Sequence, residues 1–475
     1  MTTRSPEIDL ATIDRGSVTA PAGFGKTQVI ADTIAHHREH RFLVLTHTNA
    51  GVRALHDRIT KVGAHRSSHI DTISGLALRL ARAFPTAVGW SEEAGIDHSA
   101  VKSAAHIIAR RPTVRRALLH GYDQIIVDEY RDCSMTQHQI VSYLADHIPT
   151  VVLGDPLQAI FDFDDEDPLI SWSEVLEAFP HAGTLSTPHR WTNTNPTLGH
   201  WLKSIREPLT HGHPVLLPTS GIRVYRMPRS IHEAGLNGGL PKLASNAVLI
   251  PDSKELHEIP MIAKKLAYSA SVHESAEQPD LLTFVHKISD SAPAVVLLDA
   301  IDFTTKTTTK INAQSAVKTL TKNLKANNKP GAAKNEINAL AHRFIETRAA
   351  HDLATFISKV ISDNNCQTYR PGLLYGLLAA LRSVDSGPLT ELPNAARTTI
   401  DARRRMAPPP TNRTSIGSTL RMKGLEYDSV TIFDPGRVPT AQHLYVALSR
   451  ARRQITLAVP PDAQLGQWFT TGHPN

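Results

Sequence analysis

Ala20–Thr27 reads APAGFGKT and lies between a short strand-like run, Gly16–Thr19, and a helical run beginning at Gln28. Few octapeptides restrict a fold so strongly. The pattern is GxxxxGK[ST] with Ala20 in place of the first glycine, a turn whose backbone N–H groups wrap phosphates at a helix N-terminus. Gly23 and Gly25 supply the freedom that close backbone approach needs. Lys26 would neutralise β- and γ-phosphates, and Thr27 would ligate Mg²⁺. Pro21, Ala22, Phe24 and Gln28 complete the candidate ATP-binding segment. Alone, such an octapeptide is either this cradle or an ordinary turn.

The other half of an ATPase site is a strand ending in carboxylates, and Ile125–Asp132 reads IIVDEYRD. Asp128 at the strand end is placed to hold Mg²⁺ through water, and Glu129 to polarise an attacking water. Phe42–Thr46 (FLVLT), Gln124–Asp128 (QIIVD) and Thr150–Gly154 (TVVLG) are short continuous apolar runs separated by amphipathic segments. That alternation predicts a parallel sheet covered on both faces, with ligands beyond the strand C-termini. A second set of strands is predicted at Ala247–Ile250, Ser429–Phe433 and Gln454–Ala458. The fold class expected is therefore α/β, with two parallel-sheet lobes.

At 475 residues the chain has room for two to four domains. Its 41% apolar and 20% charged residues exclude wholesale disorder and coiled coil. No apolar run approaches the ~18 residues of a membrane span, and Met1–Leu10 lacks the apolar core of a signal peptide. Two cysteines cannot build a disulfide framework or a Cys-rich metal site, so a cytoplasmic protein with no membrane partner is expected. The 25 His residues fall in no metal-site spacing such as HExxH. A helical insertion is predicted from about 270 to 400, including one long amphipathic helix over Ala339–Ser362. Between Phe303 and Asn335 stand seven lysines and no acid, either a solvated linker or a surface for phosphate backbones. Ala402–Arg413 reads as an extended connector.

The order of further segments is specific. Thr46–Ile59 (THTNAGVRALHDRI), Asp71–Leu80 (DTISGLALRL), Gly154–Phe161 (GDPLQAIF), Thr187–Arg190 (TPHR), Leu420–Tyr427 (LRMKGLEY) and Leu444–Arg452 (LYVALSRAR) follow the phosphate loop in turn. With DEYRD, they resemble the motif series of the UvrD/Rep/PcrA family of superfamily 1 DNA helicases, from Ala20 to about Leu457. The resemblance implies two RecA-like lobes with small helical insertions. Residues 1–190 would form the first, with a short accessory insertion at about 81–120. Residues 191–270 plus 400–475 would form the second, and 271–399 a reduced helical insertion.

It also implies roles. Lys26, Asp128 and Glu129 would act with Gln158, which senses the γ-phosphate or the attacking water. Arg190 and Arg450 would converge on that phosphate from the two lobes, since a fixed planar cation stabilises charge on a transferring phosphoryl group. Gly424 would let its loop approach the phosphates, and Glu426 would accept a hydrogen bond from the ribose. Phe161 and Phe163 would stack on bases, and Thr46, His47, Asn49 and Thr72 would contact the strand. The implied activity is ATP hydrolysis with Mg²⁺, coupled to 3′→5′ movement along single-stranded DNA and unwinding of duplex.

Several departures stand beside the matches. Met1–Thr19 has no Gln of the kind that reads adenine in the family. FDFDDED follows Gln158 where the family is basic, so Asp162, Asp164, Asp165, Glu166 and Asp167 face away from DNA, bind a partner or weaken strand engagement. Leu420 and Arg421 replace the usual His-Ser. Trimmed accessory segments in this family often accompany a partner, as in the helicase subunit of the Gabija phage-defence system, which works with an ATPase–nuclease. A nuclease-regulating sensor that hydrolyses ATP on DNA with little unwinding is accordingly the alternative expectation.

Overall fold

A computed structural model describes residues 5–85, 98–160, 167–218, 220–226, 247–250, 258–265, 270–273, 279–327, 329–362, 366–404, 414–459 and 469–470. Contacts divide the chain into two compact units. One comprises Met1–Gly221, Thr440–Arg453 and Trp468–Asn475, and the other Ile222–Pro439 and Gln454–Gln467.

The first unit is built on strands β1 (Arg15–Thr19), β2 (Phe42–Thr46), β3 (Ser68–Thr72), β4 (Gln124–Val127), β5 (Thr150–Gly154) and β6 (His181–Thr184). They form one parallel sheet in the order β3-β2-β4-β5-β1-β6. The apolar strands β2, β4 and β5 are buried along their whole length, as continuous apolar runs require when both faces are covered. Helices α1 (Lys26–His36), α2 (Asn49–Lys61), α3 (Ile73–Ala83), α4 (His98–Arg110), α5 (Pro112–Gly121), α6 (Met135–Ala145) and α7 (Trp172–Ala178) flank the sheet. The segment read as an accessory insertion at about 81–120 supplies α4 and α5. Ala104, Ile107, Ile108 and Val114 on these helices share a core with Leu43, Leu76, Ile125 and Val141, so they cover the sheet itself. Each fully buried aliphatic side chain there contributes about 1.5–3 kcal/mol.

Helices α8 (Pro196–Ser204) and α9 (Arg206–Thr210) and the short strand β7 (Val215–Leu216) also belong to this unit. Residues 191–221 and 440–453, read from sequence as second-lobe chain, thus group with the first unit. The physical reason is a set of specific bonds. Trp191 Nε1 donates to Ala451 O at 2.8 Å, Thr194 Oγ1 to Arg452 O at 2.8 Å, and Asn195 Nδ2 to Arg453 O at 2.7 Å.

In the second unit, β8 (Ile222–Arg226), β9 (Ala247–Ile250), β10 (Ala270–Val272), β11 (Thr414–Ser418), β12 (Tyr427–Phe433) and β13 (Ala451–Val459, whose first three residues group with the first unit) make a second parallel sheet, ordered β10-β11-β9-β12-β13-β8. The two six-stranded sheets with flanking helices are the two RecA-like lobes the motif order implies. Helix α10 (Glu258–Lys265) packs Ile259, Ile262 and Ala263 onto this sheet. Helices α11 (Pro279–Ser289), α12 (Pro293–Thr305), α13 (Ser315–Asn327), α14 (Glu336–Thr347), α15 (Ala350–Ile361), α16 (Pro371–Val384) and α17 (Leu392–Arg404) form the insertion around their own apolar core.

Three expectations for this region change. The single helix over Ala339–Ser362 is two helices, because Arg348 adopts a left-handed conformation (φ 57°) and closes α14 with its N–H on Phe344 O. The shared apolar face survives the break, with Phe344, Leu353, Phe356, Ile357 and Val360 all buried. The lysine-rich stretch is not a plain linker. Its α13 buries Val317, Leu320 and Leu324 and leaves Lys318, Lys322 and Lys325 exposed. The connector begins later than expected, since α17 continues through Arg404, and 405–413 lie outside the described residues.

The last helix, α18 (Ala441–Leu448), lies in the first unit, as does β14 (Phe469–Thr470), which pairs with β7. Among the described residues no helix is long and apolar enough to cross a membrane.

Candidate nucleotide-binding site

The phosphate loop leaves the centre of the first sheet between β1 and α1. Gly23 (φ 78°) and Gly25 (φ 85°) both adopt left-handed backbone, which glycine takes without steric cost. Neither position admits a side chain. A Cβ on Gly23 would come within 2.7 Å of the Trp191 ring, and one on Gly25 within 2.7 Å of His189 Cδ2. Ala20 is buried and its N–H donates to Gly154 O at 2.8 Å, so an alanine serves where the pattern has glycine. Phe24 is also buried, edge-on to Trp191.

Lys26 opens α1 and reaches both carboxylates at the end of β4. Its Nζ lies 3.0 Å from Asp128 Oδ1 and 2.6 Å from Glu129 Oε1. Burial by itself would lower the Lys26 pKa, but the charges of Asp128 and then Glu129 outweigh it and hold the ammonium above its ordinary value. Burial also pushes the Asp128 carboxyl up, against the pull of Lys26. Glu129 is one of few non-glycine residues with left-handed backbone (φ 54°), and its N–H donates to Asp128 Oδ1 at 2.9 Å. Such strain at a strand end re-aims a side chain and persists where its surroundings enforce it.

Arg190 and Arg450 come together within the first unit. The backbone N–H of Arg190 donates to Gly23 O at 2.9 Å, while its guanidinium donates to Ser449 O. Arg450 is buried, with Nη2 donating to Ser449 Oγ at 2.8 Å and Nε to Val446 O at 2.9 Å. Thr440–Arg453, and Arg450 with it, belongs to the compact unit that holds the phosphate loop, and the chain enters β13 of the second sheet at Ala451. Gln158 is buried and its Nε2 donates to Asp155 Oδ2 at 3.0 Å.

Other candidates fare variously. Thr27 is half-buried in the first turn of α1. The Gln28 amide is engaged along the helix, donating to Asp32 at 2.6 Å and accepting from Arg58 at 2.9 Å. Gly424 (φ 84°) and Glu426 are exposed in the second unit, in the turn before β12. Thr46 is 0% exposed beneath the start of α2, so its side chain offers no surface to a strand. Asn49 is exposed there, and His47 is half-buried. Thr72 caps α3, its Oγ1 accepting from Gly75 N at 2.8 Å. Register pairs Thr46 with Thr72, so the ends of β2 and β3 share one edge of the sheet. Phe161 and Phe163 lie outside the described residues, with Asp162, Asp164, Asp165 and Glu166. Asp167 turns inward, accepting from Thr136 N at 3.0 Å and Oγ1 at 2.9 Å.

Residues 11–164 match the AAA domain family. The matched stretch lies within the first unit and contains the phosphate loop and the carboxylate pair. Among curated proteins the chain is similar to an ATP-dependent helicase/nuclease subunit from Lactococcus lactis subsp. lactis strain IL1403, 35% identical over 65 residues. It is equally similar to the exonuclease/helicase subunit RexA of Lactococcus lactis subsp. cremoris strain MG1363. The matched stretch is 14% of this chain and 5% of either relative, so the chain spans only a small part of their length. Similar solved structures include an arterivirus nonstructural protein 10 helicase in complex with DNA (TM-score 0.36, 9% identity, 96% of this chain and 62% of that one). Another is the PRRSV helicase (TM-score 0.35, 10% identity, 98% and 57%).

The motif reading names Lys26, Asp128, Glu129 and Gln158 within residues 11–164 and Arg190 and Arg450 beyond them, but passes over several residues that hold them. Trp191, fully buried against the phosphate loop, carries a faint signal as the aromatic after TPHR. Asp155 stands in the GDPLQ motif, yet nothing in the sequence near Arg206 ties it to Asp155.

Proposed function

We propose that this chain is an ATP-driven DNA helicase of the UvrD type, moving 3′→5′ along single-stranded DNA. The observation that carries the reading is one cluster of charged groups around the phosphate loop. Lys26 bridges Asp128 and Glu129 at the end of the phosphate loop, and Arg190 and Arg450 meet at Ser449 beside it. Two left-handed glycines, a lysine already paired with carboxylates and a helix-start hydroxyl form a donor set that fits a triphosphate with a divalent cation. Thr27 and Asp128 would hold Mg²⁺, which supplies charge neutralisation at the phosphate oxygens.

The chain's own residues do the rest. Lys26 exchanges its carboxylate partners for phosphate oxygens, which frees Glu129 to take the proton from a water attacking the terminal phosphorus. Gln158 orients that water. Arg190 and Arg450 stabilise the charge on the transferring group as the bond to the leaving diphosphate breaks. His47, Asn49 and Thr72, at the ends of β2 and β3, are the proposed strand contacts. The names of the lactococcal relatives support a nuclease as a partner.

Turnover measured with and without single-stranded DNA tests the reading. Lys26→Ala and Glu129→Gln should each abolish hydrolysis, while Glu129→Gln retains ATP and DNA binding. Unchanged turnover in either refutes the site. Strand displacement on duplexes with a 3′ or a 5′ tail tests the rest. Displacement only from 3′ tails supports the proposal, and DNA-stimulated hydrolysis without displacement replaces it with a DNA-sensing ATPase.

A further inference from the structure

The side chain of Asp155 is fully buried and accepts hydrogen bonds from four residues. Its Oδ2 accepts from Ala22 N of the phosphate loop at 3.3 Å and from Gln158 Nε2 at 3.0 Å. Its Oδ1 accepts from Leu157 N at 3.1 Å. Arg206, at the start of α9, closes the cluster from outside with a two-pronged grip, Nη1 to Oδ2 at 3.0 Å and Nη2 to Oδ1 at 2.7 Å. The same guanidinium lies over the Tyr445 ring, 4.9 Å from its centroid. Tyr445 is on α18, four residues before Ser449 and five before Arg450.

We infer that Arg206 is a positioning residue for hydrolysis. By clamping Asp155 it sets the Ala22 N–H and the Gln158 amide. By stacking on Tyr445 it sets the helix that leads into Arg450. One planar cation thereby ties together the phosphate loop, the water-orienting amide and an arginine finger, three groups from distant stretches of the chain. Only a guanidinium serves both contacts, since a lysine ammonium has neither the parallel donors for a carboxylate nor a flat face for a ring. Groups held in this way matter most where charge develops, so the effect belongs in kcat rather than in nucleotide affinity.

This rests on the ATPase reading above, and the test separates the two. Wild type, Arg206→Lys and Tyr445→Leu are compared in DNA-stimulated turnover, in affinity for a fluorescent ATP analogue and in thermal midpoint. Arg206→Lys should lower kcat by about 10- to 100-fold while KM for ATP moves less than about threefold and the folded fraction is retained. Tyr445→Leu keeps the ion pair and removes the ring and hydroxyl that face the guanidinium, and should lower kcat in the same sense. A purely structural clamp would instead lower the midpoint and leave kcat per folded molecule unchanged, which overturns the inference. Should Arg206→Lys fail to fold, wild-type kcat in Tyr445→Leu overturns it equally. Absent turnover in the wild type removes the ATPase reading and this inference together, whereas wild-type turnover with unaffected variants removes this inference alone.

Discussion

Lys26 stands between two carboxylates, and its charge decides whether they can lie side by side. Asp128 is held above its ordinary pKa by burial in spite of Lys26. An acid whose folded pKa is raised binds its proton more tightly in the folded state, so its contribution to stability falls as pH rises through the interval above its unfolded value. Lys26, with its own pKa raised, contributes stability that is intact at neutral pH and lost only in strong alkali. Replacing Lys26 by alanine leaves two adjacent carboxylates uncompensated and moves the Asp128 interval further upward. Lys26→Ala should therefore be destabilised at pH 8, by up to about 3 kcal/mol. At pH 5, where the pair can take up a proton, the difference should be smaller. Urea unfolding at the two pH values checks this, and an equal difference at both would contradict the electrostatic account.

At the scale of elements, most boundaries follow local chemistry. Ser134 and Gln137 form a reciprocal cap at the start of α6, and Ser171 and Glu174 do the same for α7. The break between α14 and α15 is different, because the apolar face runs on through it. There Arg348 is exposed and left-handed, while Thr347 Oγ1 donates to Asp352 Oδ2 at 2.6 Å and Arg343 pairs with Asp352 at 2.9 Å. A non-glycine residue in this conformation costs about 1 kcal/mol relative to glycine. Arg348→Gly should raise the stability of the insertion by about 0.5–1 kcal/mol in denaturant unfolding. A loss of stability would mean that the arginine side chain, not the backbone break, holds the corner.

Over the whole molecule the charge is concentrated. The chain carries +6, and the stretch from Phe303 to Asn335 alone carries seven lysines and no acid, which leaves −1 for everything else. On α13, Lys318, Lys322 and Lys325 recur at helical spacing on the exposed side, whereas Lys306 is paired with Asp302 at 2.7 Å. If these three contact phosphates, replacing them with glutamine should flatten the dependence of log affinity on log salt for single-stranded DNA by about 2. An unaltered slope makes the stretch a solvated surface of the insertion and nothing more.

The phosphate loop, the carboxylate pair, the glutamine loop and the parallel strands that present them were legible in the sequence. Each depends on a few adjacent residues, and the C-terminal ends of parallel strands place such segments at one edge whatever the details of packing. Folding alone decided what holds them. The bond from Trp191 to Ala451 spans 260 residues, and the pairing of Arg206 with Asp155 spans 51. No local pattern encodes either, because both depend on which buried donors find which acceptors once the sheet is assembled. The burial of Thr46, the corner at Arg348 and the grouping of α18 with the first unit have the same origin. Short-range chemistry writes motifs into the chain, but the satisfaction of buried polar groups is settled only among surfaces that meet in three dimensions.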